Sequence, residues 1–208
     1  MSKVLFVKAN NRPAEQSVSV KLYDAFLHSY KETHPQDDIT ILDLFEEKPA
    51  YYDNTTIMGL FKSSKGMELT PEEQAAAETA GRYMDQFLAA DKVVFAFPLW
   101  NSTVPAVLHT YFDYLCQAGK TFRYTAEGPV GLVTGTKVAI LNARGGDYSQ
   151  GPAAASEMAV NLVLNNLALF GVTDITTVIT EGHNQYPDRS QQIIEDGVRR
   201  AAEAGASF

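Results

Sequence analysis

The amino-acid sequence predicts an α/β protein built on a doubly wound parallel sheet, and three observations predict it. Five short apolar runs, Val4–Val7, Ile39–Leu44, Val93–Phe97, Val138–Leu141 and Ile175–Ile179, are rich in β-branched and aromatic residues. They mostly lack strict polar–apolar alternation, as expected of strands covered on both faces. A helical pattern lies between each run and the next, and right-handed crossovers then place helices on both sides of one sheet.

The elements follow in order. After the first strand, Leu22, Ala25, Phe26 and Tyr30 recur at helical spacing. A polar-rich helix is expected over 71–88. Its start, Thr70-Pro71-Glu72-Glu73, combines a cap, a first-turn proline and acids on the positive end of the dipole. Val104, Val107, Leu108, Tyr111, Phe112 and Leu115 mark a third helix, and Met158, Leu162 and Leu169 a fourth that Gly171 ends. Asp188 is expected to cap a last helix with Ile194, Val198 and Ala201 on one face. Five strands favour the flavodoxin-like strand order over the six-stranded dinucleotide fold. With no repeat, low-complexity tract or linker, residues 1–208 read as a single domain. The connections 45–70 and 117–136 are longer than such a fold needs, and their aromatics (Tyr51, Tyr52, Phe61, Phe122, Tyr124) point to a functional or interfacial role.

Bulk properties narrow the function. The chain of 208 residues is 45% hydrophobic and 20% charged, ordinary for a globular domain with a sizeable core. Its formal charge of −8 shows no basic face, so a nucleic-acid partner is not expected. The single cysteine, Cys116, rules out an intrachain disulfide and sits in an apolar helical pattern, where it reads as an inert thiol. The first apolar run is too short for a signal-peptide core, and no run reaches membrane-spanning length, so the expected location is the cytoplasm and no membrane partner is expected.

Three loops carry the candidate chemistry. The most informative follows the third strand: Pro98-Leu99-Trp100-Asn101-Ser102-Thr103-Val104-Pro105 offers one large aromatic, an amide and hydroxyls. In open parallel sheets, ligands bind beyond the carboxyl ends of the strands, and these groups suit a planar heteroaromatic ring. The loop after the first strand places Asn10 and Arg12 before Ser17-Val18-Ser19 at a helix start, where free N–H groups and the dipole hold phosphate. Ser17 alone could equally be an ordinary N-cap. The loop after the fourth strand, Asn142-Ala143-Arg144-Gly145-Gly146-Asp147-Tyr148, lets backbone approach a ligand closely, although paired glycines also make plain turns. Taken together, the three loops match a phosphate, a ring system and an imide edge, which are the parts of FMN. Neither a P-loop nor a G-x-G-x-x-G fingerprint is present.

Other chemistries find less support. His28, His34, His109 and His183 make no metal-binding pair, so no metal is expected. Of these, His183 follows the last strand and is within reach of the site edge, though loop histidines more often face solvent. There is no G-x-S-x-G elbow. The adjacent carboxylates Asp37-Asp38 and Glu46-Glu47 read as solvated. Two alternatives remain: an electron-carrier flavodoxin, and more remotely a phosphodiester or ester hydrolase.

Phe97-Pro98-Leu99-Trp100-Asn101, the run Ala118 to Thr125 with Gly128-Pro129-Val130-Gly131-Leu132, and Ala143-Arg144-Gly145-Gly146 together resemble the FMN-dependent NADH-azoreductases, which are also quinone reductases. The likeness runs the whole length. It implies a flavodoxin-like fold, a homodimer, and one tightly bound FMN per subunit near the dimer interface. It also implies a ping-pong reaction in which hydride from NADH passes through flavin N5 to quinones or azo compounds, so that no side chain acts as nucleophile. Carried over, Asn10 and Ser17-Val18-Ser19 would hold the phosphate. Pro98, Leu99, Trp100, Asn101 and Ser102 would line the ring, and Ala143, Arg144, Gly145 and Gly146 would meet its polar edge. Tyr124 and Tyr148 are candidates for a lid, with Phe122 or Phe61 reaching in from the partner. Ser102 stands where the family usually has phenylalanine, and Ala9 and Ala143 where related chains can carry serine.

Overall fold

The computed structural model describes residues 1–208. In chain order its elements are β1 (Lys3–Lys8), α1 (Val18–Thr33), β2 (Asp38–Asp43), α2 (Leu44–Glu47), α3 (Asn54–Ser64), α4 (Pro71–Leu88), β3 (Lys92–Pro98), α5 (Ala106–Leu115), β4 (Phe122–Thr125), β5 (Gly128–Gly131), β6 (Lys137–Arg144), α6 (Ala159–Phe170), β7 (Asp174–Glu181) and α7 (Ser190–Ser207). The main sheet runs β2-β1-β3-β6-β7, parallel throughout. With the small β4–β5 hairpin set aside, this is the flavodoxin-like order expected from the strand count.

Both faces of the central strands are covered, which is why the apolar runs do not alternate. Leu5, Val7, Val93, Phe95, Val138 and Ile140 face a core shared with Phe87 of α4, Phe112 of α5 and Phe170 of α6. The intervening residues Val4, Phe6, Val94, Ala96, Ala139 and Leu141 face α1 and α7, where Leu22, Phe26, Tyr30 and Phe208 lie. The period-2 pleat thus sends odd and even positions into two separate apolar layers. Phe6 meets Phe26 edge-on at 6.0 Å on one side, and Phe95 stacks on Phe112 at 5.3 Å on the other.

Several boundaries differ from expectation, each for a local reason. The segment 45–70 is mostly helical. Asp43 accepts the Phe45 N–H at 3.0 Å to open α2, and Asp53 accepts the Thr56 N–H at 3.0 Å to open α3. Two threonines and Gly59 weaken the periodic signal of α3, yet Gly59 is what lets it pack closely, since a Cβ there would stand 2.3 Å from the Glu73 carbonyl oxygen. The segment 117–136 contains the antiparallel β4–β5 hairpin, with Phe122 opposite Gly131 and Thr125 opposite Gly128. Helix α5 starts at Ala106 rather than Val104, because Pro105 has extended backbone with ψ 140°. Asp188 does not cap α7: Pro187 initiates a 3₁₀ turn over Pro187–Arg189 that runs into the helix, and Arg189 holds the cap position without a side-chain bond. Asp37 is not solvated. It accepts the Ser2 N–H at 2.7 Å and the Tyr30 hydroxyl at 2.6 Å, and these bonds hold its carboxyl below the usual carboxylate range. Glu47 pairs with Arg82 at 2.8 Å. Expectation and structure agree at α4, where Thr70 and Glu73 form a reciprocal capping box, and at Gly171, which ends α6 with φ 89°.

Helices α1 and α7 meet through glycine. A Cβ on Gly205 would lie 2.4 Å from the Phe26 carbonyl oxygen, a backbone atom with no room to yield. Gly205→Val is therefore expected to cost about 1–3 kcal/mol of stability through overpacking. Urea denaturation checks this, and an unchanged midpoint would contradict the close α1–α7 seam.

Candidate active site

A cleft of about 400 Å³ opens at the carboxyl ends of β1, β3 and β6 and brings the three candidate loops together. Its size falls within the usual range for small-molecule sites.

At one end lies a buried polar cluster. Asn10, Ser17 and Ser19 are 2%, 7% and 2% exposed. The Asn10 Nδ2 donates to Ser17 Oγ at 2.8 Å and to Ser19 Oγ at 2.9 Å, while its Oδ1 accepts the Arg12 N–H at 2.9 Å. Ser17 occupies the N-cap position of α1, but its side chain makes no capping bond. Both hydroxyl oxygens accept from one amide and lie 3.3 Å from each other, so at least one hydroxyl proton is free to donate into the cleft. The first-turn N–H groups of α1 have no intrahelical acceptor and point the same way, with the positive end of the helix dipole. This is an anion site built on neutral donors, with Arg12 and Lys21 also on the cleft wall.

Pro98, Leu99 and Trp100 continue the wall. The Leu99 N–H donates to the Ala143 carbonyl at 3.0 Å, which ties the second loop to the third. Trp100 and Thr103 exchange N–H···O bonds at 2.9 and 3.1 Å around Asn101 and Ser102, both left-handed with φ 50° and 68°. This is the two-residue turn with positive φ at both central positions. Asn101 accepts such backbone readily, whereas serine does so at a cost. Neither Asn101 nor Ser102 lines the cleft. Asn101 lies on a neighbouring groove of about 650 Å³ with Phe45, Tyr51 and Trp100.

Ala143 and Gly145 form the third wall. The carbonyls of Arg144, Gly145 and Gly146 accept N–H groups from Gly182, Asn184 and Gln185. The N–H groups of Gly145 and Gly146 have no acceptor within the protein. A Cβ on Gly145 would stand 2.3 Å from Asn184 Nδ2 and 3.1 Å from its Cβ, so a side chain here would have to displace Asn184. The Arg144 side chain turns away from the cleft and is 6% exposed between Glu157 and Glu181. Only its backbone belongs to the rim. The Tyr148 ring lies beside Gly146, and Tyr124 stands 75% exposed on β4, away from this cleft.

Residues from outside the expected loops also line the cleft: Lys21 in α1, His183 and Asn184 after β7, and Ser190 and Ile194 at the start of α7. The signal available for the last four was topological, since β7 ends at the same sheet edge as β6. His183 is not the solvent-facing residue expected of a loop histidine. Its Nδ1 is buried without a partner, and burial pushes its imidazolium pKa down, so the ring is neutral near pH 7. Burial likewise raises the Cys116 thiol to about 11, in keeping with an inert role.

Comparison with known proteins now bears on this geometry. The family described as having a flavodoxin-like fold matches residues 2–204. An FMN-dependent NADH:quinone oxidoreductase 1 of Bacillus licheniformis is 61% identical, with both chains covered completely. The chain belongs to the FMN-dependent NADH:quinone oxidoreductase family. A crystal structure of an azoreductase from Bacillus anthracis superposes with a TM-score of 0.97 at 60% identity, again over the full length of both chains. A second B. anthracis structure, an FMN-dependent NADH-azoreductase in complex with FMN, superposes at 0.90 with 27% identity over 100% of this chain and 99% of that one. The family resemblance stated from the motifs and the flavodoxin-like fold both hold.

The strained turn supplies a test that needs no ligand. In this family member Ser102 sits at φ 68°, so Ser102→Gly is expected to raise stability by about 1 kcal/mol by relieving left-handed backbone. Thermal or urea unfolding measures it, and a loss of stability would contradict the turn geometry.

Proposed function

We propose that this protein is an FMN-dependent NADH:quinone oxidoreductase that also reduces aromatic azo compounds, with residues 1–208 acting as one FMN-binding unit. The observation that carries this reading is the pairing of an anion site, Asn10–Ser17–Ser19, with the unpartnered N–H group of Gly145 in one cleft, that of Gly146 following it in the same turn. The full-length likeness to the quinone oxidoreductases and azoreductases supports it.

The residues fit FMN part by part. Ser17, Val18 and Ser19 would hold the phosphate, with Asn10 orienting both hydroxyls. Pro98, Leu99 and Trp100 would flank the ring. The rim of Ala143 to Gly146 would present N–H donors to its pyrimidine edge. Bound FMN supplies reversible two-electron chemistry through its N5. The protein's share is placement and electrostatics. The glycine N–H groups favour negative charge at the polar edge as it develops, and as fixed donors they need no reorganisation. Trp100 and Leu99 keep water from one side. The open side of the cleft would admit NADH and then the acceptor, the ping-pong order that the family resemblance implies. An azo bond needs four electrons to give two amines, hence two NADH molecules.

The active form in this reading is a homodimer. Tyr51 at 81% and Tyr124 at 75% exposure support it, because both are large rings outside their own core, and Tyr124 would act as a lid on the partner's cleft. Tyr148 would serve as lid on its own cleft, beside Gly146. The reading places the enzyme in the cytoplasm, where NADH is available; no helix is long and apolar enough to cross a membrane.

Purified protein loaded with FMN is expected to be yellow and to oxidise NADH when menadione or methyl red is supplied. Protein that holds FMN yet leaves NADH untouched with both acceptors would favour the electron-carrier alternative. For the site itself, Ser17→Ala is expected to weaken FMN binding by about 1 kcal/mol, as for one hydroxyl hydrogen bond. Gly145→Val should weaken it more, because its side chain collides with Asn184 and displaces the donors. Fluorescence titration of FMN reads both, and unchanged affinity in the pair would remove these loops from the site.

A further inference from the structure

Arg144 was expected at the polar edge of the ring, and its side chain does something else. It is buried and paired with two carboxylates. Nε and Nη2 both contact Glu181 Oε2 at 2.8 Å, and Nη1 contacts Glu157 Oε1 at 3.2 Å. Glu157 is 6% exposed and caps α6, accepting the N–H groups of Ala159 and Val160 at 3.0 and 2.9 Å and that of Asn161 at 3.2 Å. The next residue, Met158, donates its N–H to the Ser102 carbonyl at 2.9 Å. Glu181 ends β7 and accepts the Tyr148 N–H at 3.0 Å. Each partner of the guanidinium therefore leads to a different wall of the cleft.

We propose that Arg144 is the positioning residue of the cleft: by gripping Glu157 and Glu181 together, it sets the Trp100–Thr103 turn and the Gly145–Gly146 turn relative to one another. On one side the chain of contacts is Arg144, Glu157, the start of α6, Met158 N–H, Ser102 carbonyl. On the other it is Arg144, Glu181, Tyr148 N–H, and the backbone of the glycine turn. The cluster is charge-balanced. One guanidinium and the N-terminus of α6 face two carboxylates, of which Glu157 is buried and Glu181 half-buried. Arginine is required because its planar fork reaches two carboxylates at fixed angles, which a lysine cannot do. Arg144 acts on the ligand only through the two turns. The consequence for cofactor rests on the proposed FMN site, whereas the coupling of the two turns does not.

Removing Arg144 strands the buried carboxylate of Glu157 and the half-buried one of Glu181 and threatens the fold, so the test uses the isosteres Glu157→Gln and Glu181→Gln in the full chain. Glutamine still caps α6 through its oxygen but loses the ionic grip. Hydrogen exchange of the FMN-free protein is expected to quicken in both segments 99–104 and 143–148 in each variant. FMN titration should give a Kd raised by about tenfold, as for loss of a supporting contact behind a binding group. The midpoint potential of bound FMN should fall, because loosely held glycine donors stabilise the reduced anion less. A merely structural cluster would lower the unfolding temperature and leave that potential unmoved. Exchange confined to the segment next to each substitution, or a bound-FMN potential equal to wild type, would overturn the proposal. If wild-type protein takes up no FMN, the functional reading fails, and the exchange data still decide whether Arg144 couples the turns.

Discussion

The site depends on one amide. Asn10 is buried, and its Nδ2 is within hydrogen-bond distance of two serine hydroxyls at once. A buried amide that spends its donors inside the protein would be an ordinary stabilising contact if the hydroxyls had acceptors of their own. Here the hydroxyls sit at the start of α1 with their oxygens occupied, and Ser17 forgoes the capping bond its position would normally make. The arrangement trades local helix stability for a directed hydroxyl donor beside free backbone N–H groups. Ala9 fits this economy: it is fully buried behind Asn10, where a hydroxyl would need a partner of its own.

A parallel sheet makes the rest possible. All five main strands end at one edge, so backbone groups that leave the ladder there face a common space. On the β6 side the carbonyls of Arg144, Gly145 and Gly146 are taken by the residues after β7, which leaves the glycine N–H groups without a protein partner. The rim is then stitched together. Leu99 N–H holds the Ala143 carbonyl, Met158 N–H holds the Ser102 carbonyl, and the Arg144 ion cluster draws the starts and ends of three elements together. Rigid donors of this kind are what a cofactor with changing charge needs from its protein.

Much of this was legible in the sequence because the signals are local. Unbroken apolar runs located the five main strands, Thr70-Pro71-Glu72-Glu73 located α4, and Gly171 located the end of α6. The three rim loops were legible because each follows a strand and carries the residue types its chemistry needs. What escaped was set by distant partners. Helix α3 hides behind threonines and a glycine whose purpose is contact with α4. The Arg144 side chain lies in the most specific motif, yet its orientation is decided by Glu157 and Glu181, 13 and 37 residues away in sequence. His183 is within reach of the site edge by sequence but reads there as solvent-facing, and it lines the cleft because β7 pairs with β6 along its whole length. The Asp188 cap failed because Pro187 begins a turn before the helix does.

The most direct measurement of the central claim is an amide NMR titration of the FMN-free protein with FMN. The account predicts that the N–H signals of Val18, Ser19, Gly145 and Gly146 shift together and saturate at one equivalent, as donors in a single cleft must. Saturable binding that moves the residues of the neighbouring groove around Phe45 and Tyr51 and leaves those four amides in place would contradict it.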